Sequence, residues 1–455
     1  MTAVADPRRT RPPGPLHLAA PSLLFQMARN RLEVMRAMAA RYGDAVRLPL
    51  GPKTLYFFNH PDHAKHVLAE NPHNYRKGIG LVHARRTLGD GLLTSEGELW
   101  HKQRRVIQPV FQARRIARQA GAVAEEAERM AVRLERQVGA GPVDIRHEMT
   151  ELTLGVLGRT LLDTDLSEHA GIGEAFEAVQ DQAIFEMMSL GAVPTAVPLP
   201  RQLRFRQARA QLQEIVDRLV AARRAEPGGT AGRDDVVSRL IESTSLETDP
   251  AVARQRMRDE LVTLLLAGHE TTASTLTWAF YLLDGHPEVW EKVHTESVEV
   301  LGDRLPRYED LHGLKYTAMV VDEVMRMYPP VWLLPRIARA DDVVGGYRVP
   351  AGADLVLCPY TLHRHPEFWP HPDRFDPDRF DPDRPVDRPR YAFIPFGAGP
   401  RFCVGNNLGL MEAVFVLACV ARRLRLSVVP DYRVVPEPML TLRVRGGLPM
   451  RVHQA

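Results

Sequence analysis

Cysteine is scarce, with three in a chain of 455 residues, too few for a disulfide framework at this size. At most one bridge could form, which suits a reducing cytoplasm. No apolar run reaches the ~20 residues that a transmembrane helix needs. The stretch from Leu16 to Phe25 is short and is interrupted by His17 and Pro21, so it fits neither a membrane anchor nor a signal-peptide core. Neither sign of charge dominates: 59 Lys and Arg stand against 56 Asp and Glu, a formal net charge of +3. That removes any general case for nucleic-acid or membrane binding and leaves only local basic patches open. Internal repeats are missing too, which excludes solenoids and propellers. With 45% hydrophobic and 25% charged residues, the chain reads as an unanchored, cytoplasmic globular protein.

What is present is mainly helical. From about 115 to 225 Ala, Arg, Glu and Leu recur with helical period, broken at 191–200 (GAVPTAVPLP) and again at 226–230 (EPGGT). Strand patterns flank the Gly51-Pro52-Lys53 turn at 45–50 and 55–58, and flank Pro350-Ala351-Gly352 at 343–349 and 354–357. Residues 441–452 suggest a small terminal sheet. One helix stands apart, from Arg254 to Leu283, with Leu261 to Ala267 apolar on every side. A helix of that kind is buried. Yet Gly268, His269, Glu270, Thr271 and Thr272 follow at its middle, and buried polar groups are costly unless paired. The conflict marks a candidate site.

The strongest local pattern is Phe396-Gly397-Ala398-Gly399-Pro400-Arg401-Phe402-Cys403-Val404-Gly405. Glycines bracket one cysteine, an arginine stands two residues before it, and a helical pattern starts at Asn407. Positive charge, backbone N–H groups and a helix N-terminus all favour a thiolate, which is a metal ligand. One thiolate cannot make a zinc or iron–sulfur site. It does suffice for heme, where the porphyrin supplies four ligands. Cys358 and Cys419, in a strand and a helix pattern, read as inert packing residues.

These residues resemble the cysteine loop of the cytochrome P450 heme-thiolate monooxygenases, at Phe396, Gly399, Arg401, Cys403 and Gly405. Glu323-Val-Met-Arg326 is similar to the family's ExxR helix. It is followed in the right order by Tyr328-Pro-Pro330 and by Pro377-Asp378-Arg379-Phe380. The resemblance implies a structural Glu323–Arg326–Arg379 cluster. Ala267-Gly268-His269-Glu270-Thr271-Thr272 resembles the oxygen-binding groove. There Gly268 would let dioxygen approach the backbone, Thr271 would bond the Ala267 carbonyl and open the helix locally, and Glu270 would relay protons. His269 reads instead as a packing residue. Trp100 and Arg104, at i and i+4 on one helix face, resemble a heme-propionate clamp, with Arg336 and Arg401 as further partners.

The resemblance runs from Pro12 to Val452 and implies a tail at 1–11 and a single domain at 12–455. It implies a mainly α fold with small β-sheets (α+β) and the long central helix over the heme. The expected cofactor is heme b with Cys403 as axial ligand, and dioxygen is the co-substrate. NAD(P)H electrons would arrive indirectly, through a ferredoxin or flavodoxin and its reductase, since the chain has no flavin or nicotinamide domain of its own. Lys102, Arg104, Arg105, Arg114, Arg115 and Arg118 could steer that acidic partner or be a plain solvated face. A monomer with no anchor is expected. The pocket by analogy contains Ile79, Leu81, Val82, Leu92, Phe185, Met188, Val331, Leu333, Met439 and Leu440. Its apolar, methionine-bearing character suits a greasy ligand: a terpenoid of secondary metabolism first, a polyketide or fatty acid second, taken through hydroxylation. Peroxide-driven oxygenation and non-catalytic heme or gas binding are the competing classes. One departure from the family pattern is Gly409, which follows Asn406-Asn407-Leu408.

Overall fold

The computed structural model describes residues 11–455 apart from 51–52, 167–170, 190–192, 195, 234 and 385, and the side chains of His17, Ile79 and Met188 also lie outside the described part. The expected tail at 1–11, the turn residues Gly51 and Pro52, and part of the break at 191–200 therefore fall largely outside the described residues. As the sequence predicts, helices dominate and the sheets are small. The chain forms two compact units, each assembled from three stretches: 1–82, 325–376 and 382–403 in the first, and 83–324, 377–381 and 404–455 in the second.

The first unit is built on a five-stranded sheet, in the order Ala45–Leu50, Lys53–Phe58, Asp354–Leu357, Leu334–Ala338, Tyr75–Lys77. The predicted hairpin is there, with Ala45 opposite Phe58 and Leu50 opposite Lys53. Asp354–Leu357 is the middle strand, and all four of its residues are buried, as a strand covered on both faces requires. The strand–turn–strand expected around Pro350 resolves differently. Asp342–Val344 pairs with Tyr347–Val349 across Gly345-Gly346, while Asp354–Leu357 joins the large sheet. Two glycines at positive φ (57° and 80°) make the tighter hairpin turn, a stronger signal than Pro350-Ala351-Gly352.

The second unit is helical. Its central helix is Pro250–Asp284, longer than the proline-free stretch predicts. Pro250 sits in its first turn, where a missing N–H costs nothing, and the Asp249 carboxylate caps the Ala251 N–H at 2.8 Å. The expected long helical region breaks into Ala113–Glu135, Ile145–Leu157, Ile172–Met188 and Pro200–Ala225. The break at 136–144 contains Gly139, Gly141 and Pro142, which interrupt the helical period. Asn406–Ala421 packs on Ala113–Glu135, Pro287–Leu301 and Pro250–Asp284. The expected single terminal sheet is two: Leu442–Val444 pairs with Pro436–Pro438, and Pro449–Gln454 pairs with Leu424–Val428 and Val143–Asp144. Gly446-Gly447, both at positive φ, turn the chain from one to the other.

Candidate active site

In the first unit the cysteine lies on a loop with its own hydrogen-bond frame. Gly397 N–H donates to Ile394 O (3.0 Å), Phe402 N–H to Gly399 O (3.1 Å) and Cys403 N–H to Phe396 O (3.0 Å). These bonds close a tight turn that needs positive φ at Gly397 and Gly399. Gly399 has a second constraint, because a Cβ there would lie 1.8 Å from the Leu68 carbonyl oxygen. Cys403 is exposed, unlike Cys358 and Cys419. Burial pushes the Cys358 thiol up to about 11 and the Cys419 thiol up to about 12, so both stay protonated and inert.

The loop is tied back to the core by a residue that the sequence reading missed. His363, fully buried, accepts the Ile394 N–H on Nε2 at 2.9 Å. Burial and then the Arg326 charge push its ring down to about 3, so it is neutral and able to accept. Arg326 is itself buried and donates to the carbonyls of His363 (3.0 Å), Pro372 (2.7 Å) and Arg374 (3.1 Å). Arg336 is buried in its strand, with Nη1 on the Pro335 carbonyl at 2.9 Å. Arg401 is half-buried.

In the second unit the candidate polar step lies midway along Pro250–Asp284. Among residues 261–283 only Ala267 is exposed, and Gly268, Glu270 and Thr271 beside it are half-buried. Thr271 Oγ1 donates to the Ala267 carbonyl at 2.9 Å, as i, i+4 spacing predicts. The helix nevertheless stays continuous, so the expected local opening is not seen. A carbonyl has two lone pairs and can accept a hydroxyl without leaving the backbone ladder. The room beside Gly268 also has a different use from the one expected. A Cβ there would lie 2.4 Å from Leu157 Cδ2, so close helix packing by itself requires glycine.

Glu270 is held at both oxygens: Oε1 accepts Thr441 Oγ1 at 2.7 Å, and Oε2 accepts the fully buried Gln180 amide. Neither partner was found from sequence. Gln180 lies on Ile172–Met188, and Thr441 is brought close because Ser274 Oγ and Trp278 Nε1 both donate to the Leu442 carbonyl (2.6 and 2.8 Å). His269 is buried, hydrogen-bonds Leu265 O at 2.6 Å and packs on Phe176, with ring centroids 4.8 Å apart. It is the packing residue expected, and burial lowers its pKa.

Arg104 lies over the Trp100 ring at 5.6 Å, and its Nε donates to Gln108 at 3.1 Å. Glu323 Oε1 lies 3.5 Å from Arg379 Nε, and Glu323 and Arg326 ride one helix, Lys315–Met327. Gly405, two residues after Cys403, is the N-cap residue of Asn406–Ala421. Gly409, the departure noted above, faces Thr272, whose Oγ1 would lie 3.5 Å from an added Cβ. In the first unit Leu81, Val331 and Leu333 are half-buried and Val82 is exposed. In the second, Leu92, Phe185, Met439 and Leu440 are half-buried. Ile79 and Met188 belong to the side chains outside the described part. Lys102, Arg105, Arg114 and Arg118 are exposed. Arg115 is pulled below its ordinary pKa by burial and by the charges of Arg239 and Arg118, which adds Arg239 to that basic face.

The donor set fits heme better than a bare metal ion. Among the described residues no group of three or more His, Cys, Asp and Glu side chains could hold a metal. A single exposed thiol on a glycine-framed loop suits a complex that brings its other ligands with it. Arg104, Arg336 and Arg401 are the residue type that pairs with carboxylates such as propionates.

The cytochrome P450 family model matches residues 11–448 of the chain. Cyclooctatin synthase of Streptomyces melanosporofaciens is 38% identical over 438 residues, 96% of this chain and 94% of that protein. Cyclooctat-9-en-7-ol 5-monooxygenase of the same organism is 38% identical over 431 residues, 94% of this chain and 92% of that protein. Pentalenene oxygenase of Streptomyces avermitilis is 32% identical over 420 residues, 92% of each chain.

Proposed function

Because the chain belongs to the cytochrome P450 family and is a monooxygenase of that family, we propose that it hydroxylates a terpenoid with a heme b held by Cys403. One oxygen atom of dioxygen enters the substrate and the other leaves as water. When bound, the heme supplies the oxygen-activating chemistry, which a thiolate ligand favours.

This chain's residues do the rest. The hydrogen-bonded loop from Ile394 to Cys403 presents the thiolate, and Arg104, Arg336 and Arg401, with Trp100, hold the propionates. Phe396, Gly399 and Gly405 shape the turn around the ligand. Ala267, the one exposed position among residues 261–283 of the continuous central helix, marks with Gly268 beside it where dioxygen would approach. Thr271 Oγ1 holds a proton at that position, and Glu270 passes protons to it from solvent, a general-acid task. Gln180 and Thr441 hold the Glu270 carboxylate until it turns. Glu323, Arg326 and Arg379 keep the supporting loops in place. The single observation that carries the reading is the exposure of Ala267 beside the Thr271 bond, in a helix otherwise buried around it.

The terpenoid substrate is supported by the relatives, whose names give terpenoid chemistry, and by the apolar side chains proposed for the pocket. The exposed basic face, with Lys102, Arg105, Arg114 and Arg118, supports an acidic ferredoxin or flavodoxin that passes on NAD(P)H electrons. No helix among the described residues is long and apolar enough to cross a membrane. Three cysteines without a disulfide support a cytoplasmic setting, and one family match over residues 11–448 supports a single working domain at 12–455. Titrating the purified, heme-loaded protein with terpenoids, polyketides and fatty acids tests the substrate class. Terpenoids should displace the water spectrum of the heme at the lowest concentrations. A fatty acid doing so in their place would overturn the terpenoid reading.

A further inference from the structure

The helix Pro61–Lys65 does not end cleanly. It runs into a π turn, His66–Glu70, in which the Asn71 N–H reaches back five residues to the His66 carbonyl at 2.8 Å. Such turns carry one residue more than an α-helix accommodates, and they persist where something holds them, often near functional sites. Here the wide turn delivers one group: the Leu68 carbonyl lies against Gly399, close enough that an added Cβ would be 1.8 Å from its oxygen and 2.7 Å from its carbon. Gly399 in turn accepts the Phe402 N–H, one residue before Cys403.

Three hydrogen bonds hold the turn, and all end on one oxygen. Asp342 Oδ2 accepts from His66 Nε2 (2.9 Å), Asn71 Nδ2 (3.0 Å) and Tyr75 Oη (2.5 Å). His66 opens the π turn, Asn71 caps it, and Tyr75 begins the next strand. The Asp342 side chain is 12% exposed. Burial alone would raise its pKa, but the bonds from Tyr75 and His66 hold it at about 2. An ionised carboxylate only accepts, so His66 Nε2 carries the proton. Glu70, on the turn itself, faces the other ring nitrogen at 3.9 Å and pairs with Lys65 at 2.7 Å. Nothing in the reaction uses this cluster directly.

We propose that Asp342 is a positioning residue for the cysteine loop: by pinning the π turn at both ends it fixes the Leu68 carbonyl against Gly399 and so fixes where Cys403 is presented. The inference rests on the reading of Cys403 as the heme ligand. Loosening the turn frees the loop, and the thiolate–heme bond is then lost more readily.

The test follows the carbon-monoxide spectrum of the reduced, heme-loaded protein over time in mild urea, where the thiolate-type Soret band converts to the non-thiolate form. Asp342→Ala should convert at least about tenfold faster than wild type, the effect of one charge-assisted bond. Asp342→Asn, which keeps an acceptor but no charge, should fall between. Tyr75→Phe and Asn71→Ala each remove one bond and should accelerate conversion less. They carry the test if Asp342→Ala fails to fold. Val293→Ala, fully buried in Pro287–Leu301 of the other unit, provides a comparable loss of thermal stability without touching the turn. Conversion of the Asp342 variants at the wild-type rate, or no faster than Val293→Ala, overturns the proposal and leaves the heme reading intact. A wild-type protein with no thiolate-type band overturns both.

Discussion

Gly399→Ala and Gly397→Ala separate two reasons for a glycine within one loop. The two residues have nearly the same backbone, φ +67° and +71°. Either substitution places a side chain in the left-handed region at a cost of roughly 1–2 kcal/mol. At Gly397 nothing lies within 4 Å of the new Cβ, so that strain is the whole effect. At Gly399 the Cβ arrives 1.8 Å from the Leu68 oxygen and 3.1 Å from the Ala69 Cα. Carbon contacts settle at about 3.5–4.0 Å, so the obstruction is backbone that must shift by more than 1 Å, on the order of the gap. Overpacking of that kind costs about 1–3 kcal/mol more. We therefore expect Gly399→Ala to lose ~2–5 kcal/mol and Gly397→Ala ~1–2 kcal/mol. Urea unfolding of the heme-loaded proteins, read by the Soret band and by far-UV circular dichroism, measures both. Equal losses in the two variants would show that the Leu68 carbonyl does not constrain the loop.

Stability should also fall with acid in a defined window. His363 and His63 are pushed down to about 3 and about 4, in both cases first by burial, while the unfolded chain titrates near ~6.5. The unfolded state therefore binds protons first, and stability falls as pH drops from ~6.5 toward ~4, levelling below ~3. Urea midpoints across that range check it, and His363→Gln should flatten part of the slope. A flat profile would refute the neutral, accepting His363. Arg326→Ala leaves three carbonyls around a buried site without their donor and should cost ~3–5 kcal/mol. Arg326→Lys should not restore the lost stability, because an ammonium cannot reproduce the planar fork. The ratio of heme to protein after purification reports both. Thr271→Ala should keep the thiolate-type spectrum but lower product formed per reductant consumed by about 10²-fold, with peroxide appearing instead. Unchanged coupling would remove Thr271 from the proton path.

Much of the molecule is legible locally. The Ala45–Phe58 hairpin follows from alternation around a tight turn. The Thr271–Ala267 bond follows from helical period alone, since i and i+4 always meet on a helix. The cysteine loop, too, is a contiguous pattern, and its turn bonds connect residues at most seven apart. Where two turn signals lie close together the stronger one decides the pairing, as Gly345-Gly346 does over Pro350-Ala351-Gly352.

Other features depend on partners far away in the chain. Glycine at 268 reads as an opening, yet Leu157, more than a hundred residues earlier, fills the space beside it. Gln180 and Thr441 close on Glu270 from opposite directions in sequence. His363 holds Ile394, and Asp342 holds a turn at His66, across 276 positions. Short-range order obeys backbone periodicity and turn chemistry, which each residue carries with it. Long-range pairing depends on which surfaces meet when the core packs, and that is decided only in three dimensions.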